Sequence, residues 1–523
     1  MHHCTRLAVI AATLLSATAW AQSPALQAVE AAAQAMGGKD KLLAVKSLRI
    51  VGYGQIASQD GGGNISSMPE APQKLINING QQRVIDLANG RMNVQQRNAH
   101  DFVFAYARNM RGQVQVNQSL DGTVAFNVGP DGKAVRAPDA QVRARRIDML
   151  NNPVAIIRTA LDPATKLGSL RTQGPLQLLD LTTAQGDQLV LALDRTTKLP
   201  AWLSWVAPHT NYGDTTYRTY YEAYQPLDGN GLRLPSGYNT VMDFRNVVQQ
   251  KLFVDKYVLD EPGLNLAAPA DVRAAAAPVP GRPQVEAIPV GQGVWFLKAT
   301  PGGNSTLFEF SDHLVLFEAY GSEANGLAVI EKARATVPGK PLTHLIVSHH
   351  HIDHTGGLRA AVSEGLTIIT NRQNEAFIRE ITSRPAKRFP DALGRNPKPL
   401  KLQLVDDTLQ LKDSAMEVNV YRVINNSHMA HGLVAHVPRD RLLAQGDLVD
   451  EGWDVVWWGN SYADTVKFWK LDVARDLPVH GNLNTYERAI DLLRQQTSNA
   501  QKLCAQVEAA QLTMPGCPVS NTF

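Results

Sequence analysis

Cysteine, net charge and long hydrophobic runs are all scarce in this chain of 523 residues. Lys and Arg number 51 and Asp and Glu 48, which gives a formal net charge of +3. This balance offers no electrostatic case for binding nucleic acid or an anionic membrane. No segment after the N-terminus has the apolar length that crosses a bilayer. Apolar residues at 44% and charged residues at 19% exclude a disordered chain and predict two or three packed domains.

Residues 1–21 are predicted to be a signal peptide. A basic start at Arg6 is followed by an apolar run over residues 7–15 and by the A-x-A cleavage pattern Ala19-Trp20-Ala21. Cleavage near Ala21 predicts an exported protein, periplasmic or secreted, and the alternative is a retained N-terminal anchor. Cys4 precedes the apolar run, so it is not placed as a lipid-attachment cysteine.

Only Cys504 and Cys517 remain once the signal peptide is removed. An even count in an oxidising compartment favours one C-terminal disulfide between them. Two free thiols are the alternative that the sequence leaves open.

Residues 22–266 predict a mostly antiparallel β domain of the α+β class, opened by a helix. The Ala-rich segment 24–36 has helical spacing and ends at a Gly pair. The alternation around Asn89-Gly90 predicts a hairpin with a type I′ turn. A helix followed by a long antiparallel meander resembles the lipoprotein-carrier half-barrel, and a structural β domain without a ligand is the alternative. The Ala/Pro-rich residues 267–283 predict a semi-rigid linker.

Residues 284–523 alternate between strand and helix patterns, which predicts a layered α/β core. A buried strand is expected over residues 343–348 and a helix over 356–363. Further helices are expected over 373–382, 467–476 and 485–498.

The chemistry is concentrated in SHHHIDHTGG, which follows the buried strand THLIVS. Residues two apart in an extended segment point to one side, so His349 and His351 are expected to converge on one ion. Asp353 and His354 come after the chain turns and are expected to face a neighbouring position. His, His, Asp and His at these spacings indicate a metal site. A solvated His-rich loop that binds metal adventitiously is the alternative.

HHHIDH resembles the H-x-H-x-D-H signature of the metallo-β-lactamase-fold hydrolases, which include glyoxalase II, lactonases and alkylsulfatases. The resemblance covers roughly residues 285–500 and implies an αββα sandwich. His428 in NNSHMAHG resembles the third histidine of the first metal site, and Asp447 in LLAQGDLVD resembles the bridging aspartate of the glyoxalase-II-like branch. His480 in LPVHGN resembles the last histidine, with Val479 where the family has Gly. Glu318 stands where the family usually has Asp.

The resemblance implies a complete dinuclear ligand set. The first metal takes His349, His351 and His428, the second takes Asp353, His354 and His480, and Asp447 bridges them. Imidazoles with a shared carboxylate suit two Zn²⁺ per chain, with Fe or Mn as alternatives. A hydroxide held between the ions is expected to attack an ester, lactone, thioester or amide carbonyl, with Asp353 as the catalytic residue that orients it.

Four further residues are candidates for substrate contact. His431 lies three residues after His428 and is expected to contact substrate or to replace His428 as a ligand. Trp453, Trp457 and Trp458 follow Asp447 closely and are expected to form an aromatic wall for an apolar small-molecule substrate. Ordinary packing of the loop against the core is the alternative for the tryptophans. His350, at the variable position of the motif, is expected to face outward or to support a ligand.

Three function classes remain. An exported dinuclear metallohydrolase is the leading hypothesis. A metal-dependent oxidoreductase of the same fold, similar to persulfide dioxygenases, is the second. The third is a non-catalytic envelope protein whose β-rich half binds a ligand.

Overall fold

A computed structural model describes residues 23–99, 113–514 and 517–519. The predicted signal peptide, residues 1–21, lies outside the described residues. The described chain forms an antiparallel β domain followed by an αββα sandwich, so the predicted fold class is confirmed. Among the helices of the described residues, none combines the length and the apolar character that crossing a membrane requires.

The N-terminal half is built on a sheet of thirteen antiparallel strands, in the order β6-β5-β4-β3-β2-β1-β13-β12-β11-β10-β9-β8-β7. Its strands are β1 Ser47–Ala57, β2 Leu75–Asp86, β3 Arg91–Ala99, β4 Val114–Asp121, β5 Val124–Val128, β6 Ala134–Arg136, β7 Lys166–Gln173, β8 Leu176–Thr182, β9 Gln188–Asp194, β10 Pro200–His209, β11 Gly213–Pro226, β12 Arg233–Met242 and β13 Val248–Leu259. Its helices are α1 Pro24–Ala35, α2 Lys39–Ala44, α3 Ala140–Leu150, α4 Pro153–Leu161 and α5 Ala270–Ala274.

The local sequence signals of this half are read correctly at its first helix and first hairpin. Ser23 caps α1 by accepting a hydrogen bond from Leu26 N–H, and Pro24 occupies the first turn. The apolar side of α1, including Val29, packs against the sheet. β2 and β3 pair from Asp86 to Arg91, so the hairpin is confirmed. The predicted type I′ turn is wrong, because four residues form the loop and, of Asn89 and Gly90, only Gly90 has a positive φ, 63°.

The segment predicted as a linker is partly docked. Within residues 267–283, α5 buries Val272 against Phe126 of the N-terminal sheet. Ala268 donates its N–H to Asp121 Oδ2 at 2.8 Å, and Arg273 pairs with the same carboxylate. Residues 275–283, between α5 and β14, have neither helix nor strand.

The C-terminal half contains a seven-stranded sheet, β14 to β20 in chain order, and a six-stranded sheet, β21 to β26. The strands are β14 Gln284–Gly291, β15 Val294–Thr300, β16 Asn304–Glu309, β17 Leu314–Phe317, β18 Leu342–Ile346, β19 Thr367–Asn371, β20 Lys401–Val405, β21 Thr408–Lys412, β22 Glu417–Arg422, β23 Leu433–Val437, β24 Leu442–Gln445, β25 Arg475–Pro478 and β26 Asn484–Thr485. The helices are α6 Glu323–Thr336, α7 Leu358–Ser363, α8 Glu375–Ser383, α9 Ala392–Arg395, α10 Ser461–Phe468 and α11 Tyr486–Ala509.

The two sheets bury their inner faces against each other. Phe296 and Ile346 of the first sheet pack with Val418 and Ala444 of the second, and helices cover both outer faces. The prediction of a helix over residues 467–476 is wrong, because α10 ends at Phe468 and β25 begins at Arg475. Short apolar strands and buried helices share the same pattern, so periodicity alone could not separate them.

The two halves share a packed interface. Tyr212 and Phe244 of the N-terminal half are fully buried in one apolar cluster with Phe377 of the C-terminal half. The Asp214 carboxylate accepts hydrogen bonds from three consecutive backbone N–H groups, those of residues 387–389, at 2.7, 2.7 and 3.0 Å. The interface is therefore polar as well as apolar, and it fixes the N-terminal sheet beside the sandwich.

A disulfide closes the C-terminus, as the sequence favoured. It joins Cys504 near the end of α11 to Cys517 across 13 residues of sequence. The bridge ties the chain end to the helix whose apolar side, including Leu493, packs on the second sheet. Chain-entropy arguments assign such a loop a contribution of about 3 kcal/mol.

We expect Asp214→Ala to weaken the docking of the two halves. Three backbone donors lose a charged acceptor, which costs about 1–2 kcal/mol when water replaces part of the interaction. The midpoint of thermal unfolding should fall. Asp228→Ala, in an exposed turn of the same half, is the matched control. Equal midpoints for the two variants would contradict the role assigned to Asp214.

Candidate metal centre

The predicted ligands lie in segments that leave neighbouring strands at one edge of the sandwich. His349, His351, Asp353 and His354 follow β18, and Asp447 follows β24. His480 follows β25, and His428 lies in the connection from β22 to β23. The candidate ligands span 132 positions of sequence, from His349 to His480. They meet because these strands lie next to one another within the two facing sheets.

One group of ligand atoms comes from His349, His351, His428 and Asp447, all buried. His349 Nε2 lies 2.9 Å from His351 Nδ1, and His428 Nε2 lies 2.9 Å from Asp447 Oδ2. His349 Nε2 is 3.6 Å from the same carboxylate oxygen. Ligands at zinc-type distances in a tetrahedron stand about 3.3 Å apart, so the spacing fits one ion.

A second group comes from Asp353, His354 and His480. Asp447 Oδ1 lies 2.8 Å from His480 Nε2 and 3.1 Å from His354 Nε2. Asp353 Oδ2 lies 3.7 Å from His480 Nε2. The two oxygens of Asp447 therefore face different histidine groups, which is the arrangement of a bridging carboxylate.

The protonation states suit metal binding on the first side. Burial is the largest influence on His349 and His351 and holds the pKa of both well below its usual value, so both are neutral imidazoles. Neutral imidazole offers one lone pair, which is what a metal requires.

Carboxylates surround the histidines of the second ligand group. Burial lowers the pKa of His354, but the carboxylates of Asp447, Asp353 and Glu318 outweigh it and raise that pKa well above its usual value. Burial also opposes the charged form of His480, whose pKa Asp447 raises. Asp353 Oδ1 is buried and has no hydrogen-bond partner among the described residues. An unpaired buried carboxylate oxygen is costly, and a cation at this position would satisfy it.

Glu318 supports the site although it replaces the usual Asp. Its Oε1 accepts a hydrogen bond from Ser348 N–H at 2.6 Å, and its Oε2 lies 3.5 Å from His354 Nδ1. The residue is fully buried, with a φ of 68°. A carboxylate behind a metal-binding imidazole orients the ring and raises its basicity.

Gly446 is required next to Asp447. A Cβ at residue 446 would collide with the Ser348 side chain and approach His354 Cε1 to 3.4 Å. Asp447 itself has a φ of 60°. The close backbone approach and the unusual conformation aim the carboxylate at both histidine groups.

Two of the three tryptophans are packed in the core, and the third is half-buried near the centre. Trp458 is 1% exposed, stacks on the His428 ring with centroids 4.6 Å apart, and donates its Nε1–H to Asp447 O at 3.1 Å. Trp457 is also buried in the core, so packing is favoured for both over a substrate wall. Trp453 is half-buried, with its ring 6.4 Å from that of His428. Sequence reasoning missed the support that Trp458 gives to two ligands.

His431 and His350 are not members of either ligand group. His431 is half-buried, and its carbonyl accepts a hydrogen bond from Asn374. His350 is 3% exposed and donates Nε2–H to the carbonyl oxygen of Asn64 at 2.8 Å, so the outward-facing alternative is wrong. Asn64 was also missed, although the run Gly61-Gly62-Gly63 before it signals close backbone approach.

The centre opens on one side. The side chains of Asp353 and His480 are 25% and 20% exposed, whereas those of His349, His354 and His428 are at most 3% exposed. The Tyr320 ring borders the same side, with its centroid 4.9 Å from that of His480. A small molecule can therefore reach the centre past Asp353 and His480.

Comparison with known proteins agrees with the fold of the second half. Residues 300–473 match the family model of the metallo-beta-lactamase superfamily, so the resemblance is confirmed over this segment. No curated protein matches the chain at a significant level.

Solved structures similar to this chain include metallo-beta-lactamases from Pontibacter korlensis and Hirschia baltica. The first has 14% identity, covers 41% of this chain and 100% of its own, and has a TM-score of 0.31. The second has 18% identity, covers 41% of this chain and 97% of its own, and has a TM-score of 0.30. A metallo-beta-lactamase from Pseudomonas aeruginosa in a mono-zinc form has 15% identity, covers 42% and 96%, and has a TM-score of 0.31.

We expect Trp458→Phe to weaken Zn²⁺ binding by about tenfold or more, because loss of an outer partner of the ligands has costs of that size. The variant keeps a ring against His428 but loses the donor to Asp447 O. Competition with a chromophoric chelator measures the affinity. Trp469→Phe is the control, since Trp469 Nε1–H donates to Arg422 O at 2.8 Å, away from the centre. Unchanged affinity in Trp458→Phe would contradict the role assigned to Trp458.

Proposed function

We propose that this protein, whose residues 300–473 match the metallo-beta-lactamase superfamily, is an exported dinuclear metallohydrolase. The observation that carries the proposal is the Asp447 carboxylate, with Oδ2 2.9 Å from His428 Nε2 and Oδ1 2.8 Å from His480 Nε2. A shared carboxylate between two histidine groups fits a two-ion hydrolytic centre. Two Zn²⁺ are the proposed cofactors, because buried neutral imidazoles and carboxylates are ligands that zinc accepts.

Export follows from the N-terminal segment. Residues 1–21 are proposed to be removed as a signal peptide, which places the mature chain in the periplasm or outside the cell. The mature protein would then consist of a β domain over 22–266, the connection 267–283 and the hydrolase domain over 284–523.

The residues of the centre would hold the metals in two unequal sites. His349, His351 and His428 would bind the first, and Asp353, His354 and His480 the second, with Asp447 shared. Divalent ions bound there would lower the pKa of a bound water to about 7 and would polarise an acyl oxygen. No separate protein base is then needed to generate the nucleophile.

Asp353 is the proposed catalytic residue because it is both near the ligands and partly open to solvent. Its Oδ2 lies 3.8 Å from His354 Nε2 and 3.7 Å from His480 Nε2, and its Oδ1 has no hydrogen-bond partner among the described residues. We assign Oδ1 to orienting the attacking water. The same oxygen is placed to hold the proton that passes on to the leaving group.

The substrate class follows from this chemistry and from the open side. An ester, lactone, thioester or amide carbonyl can approach past His480, where the half-exposed Tyr320 ring offers an apolar surface. Of the three tryptophans, Trp453 remains the candidate for substrate contact. It is half-buried, whereas Trp457 and Trp458 are buried.

A screen of acyl substrates with the Zn²⁺-loaded full chain tests the proposal. It covers nitrocefin, lactones, thioesters and aryl esters, with sulfate and phosphate esters as further arms. We expect turnover of at least one acyl substrate and its loss by a factor of 100 or more, about 3 kcal/mol, in His351→Ala. Asp353→Ala should lose activity in the same way. His313→Ala, at a half-buried histidine that belongs to neither ligand group, is the control.

Other outcomes identify the alternative functions. One iron per chain with oxygen consumption would contradict the hydrolase and support an oxidoreductase. Full metal loading without turnover of any acyl substrate would contradict it in favour of a ligand-binding envelope protein.

A further inference from the structure

The connection between β1 and β2 of the N-terminal sheet reaches the metal centre of the other half. The carbonyl oxygen of Asn64 lies 2.9 Å from His351 Nε2 and 2.8 Å from His350 Nε2. We propose that this connection, residues 58–74, is a working part of the first metal site: the Asn64 carbonyl positions His351 for metal binding. The inference depends on the proposed metal binding but not on the reaction that the metals support.

Hydrogen-bond chemistry fixes what this contact does. A backbone carbonyl can only accept, so His351 Nε2 must carry a proton. A metal-binding imidazole is neutral and carries a single proton, so the proton on Nε2 leaves Nδ1 without one. The Nδ1 lone pair then faces the position shared with His349 Nε2, 2.9 Å away. The N-terminal half thus selects the tautomer that the metal site needs.

The connection is anchored directly to two segments of the C-terminal half and, through Arg245 of the N-terminal half, to α8 as well. Ile65 O accepts a hydrogen bond from Ala430 N–H at 2.8 Å, two residues from His428. Ser67 Oγ donates to Gln373 O at 3.1 Å. Arg245 donates to Ser67 O at 2.7 Å and to Glu380 Oε2 at 2.7 Å. These contacts hold the Asn64 carbonyl in place, 2.9 Å from His351 Nε2.

The glycines before Asn64 allow the backbone of the connection to come close to the segment that carries the ligands. Gly62 is buried, and a Cβ there would collide with Ile352 Cγ2 and come within 3.1 Å of the Tyr212 hydroxyl. Ile352 lies between His351 and Asp353. Any side chain at residue 62 must therefore move either the connection or the ligand-bearing segment.

The same connection accounts for the one-sided opening of the centre. His350 and His351 are 3% and 0% exposed, and each donates to Asn64. The opposite side, at Asp353 and His480, stays partly open. The first metal site is therefore closed by a part of the chain that the sandwich itself does not contain.

Gly62→Ala in the full-length chain tests the proposal. We expect one of two Zn²⁺ equivalents to bind about 10- to 100-fold more weakly, the range seen when outer partners of metal ligands are lost. The other equivalent should keep its affinity. Adding Ile352→Ala removes the methyl that a Cβ at residue 62 would strike, so the double variant should regain affinity relative to Gly62→Ala. The readout is calorimetric titration of metal-free protein, together with the visible spectrum of the Co²⁺-substituted form.

Two further variants keep the test decisive if Gly62→Ala folds poorly. Ser67→Ala removes a single anchor and should weaken the same equivalent by a smaller factor. Ser66→Ala is the matched control, because Ser66 Oγ accepts from Met68 N–H within the connection, at 3.4 Å, and anchors no segment of the C-terminal half among the described residues. Circular dichroism and the midpoint of thermal unfolding verify folding.

The inference is overturned if Gly62→Ala and Ser67→Ala, both folded, bind two Zn²⁺ with wild-type affinity. The contact would then be packing between the halves and nothing more. A wild-type chain that binds no Zn²⁺ overturns both this inference and the proposed function. Weaker metal binding in Gly62→Ala by a protein that hydrolyses no acyl substrate would support the inference while contradicting the hydrolase.

Discussion

The Asp447 carboxylate is the constraint on which the rest of the centre depends. Its two oxygens face histidines from different segments, at 2.9 Å for His428 and 2.8 Å for His480. Burial alone would raise the pKa of Asp447, but His354 and His480 outweigh burial and hold that pKa well below its usual value. The neighbouring structure serves this geometry: a glycine precedes the residue, its backbone is left-handed, and an indole N–H donates to its carbonyl oxygen.

The two halves of the chain contribute unequally but jointly to the centre. The sandwich supplies every candidate ligand, because the loops that follow its strands meet at one edge. The N-terminal sheet supplies the Asn64 carbonyl and covers the His350–His351 side. Interface contacts through Asp214 and Tyr212 keep that sheet in place. If the centre binds metal as proposed, the β domain is positioned to shape both metal binding and access.

The local pattern predicted the ligand candidates of the 349–354 segment, which follow an apolar strand directly, whereas His428, Asp447 and His480 came from the resemblance to metallo-β-lactamase-fold hydrolases. The alternation of strands and helices predicted a layered α/β core, and the resemblance implied the αββα sandwich, which the structure and the family match confirm. It failed at residues 467–476, where a short buried strand resembles a helix. It also missed Asn64, Glu318 as a working partner and Trp458, because backbone carbonyls, a shifted carboxylate and a stacked indole act through tertiary contacts that carry no spacing signal.

The most direct test of the shared carboxylate is the number of Zn²⁺ ions bound per chain by the wild type and by Asp447→Asn, measured by elemental analysis after exhaustive dialysis. The account predicts two ions in the wild type and a loss of tightly bound metal in Asp447→Asn, because an amide leaves the two histidine groups without a bridging anion. Equal metal content in the two proteins would contradict it.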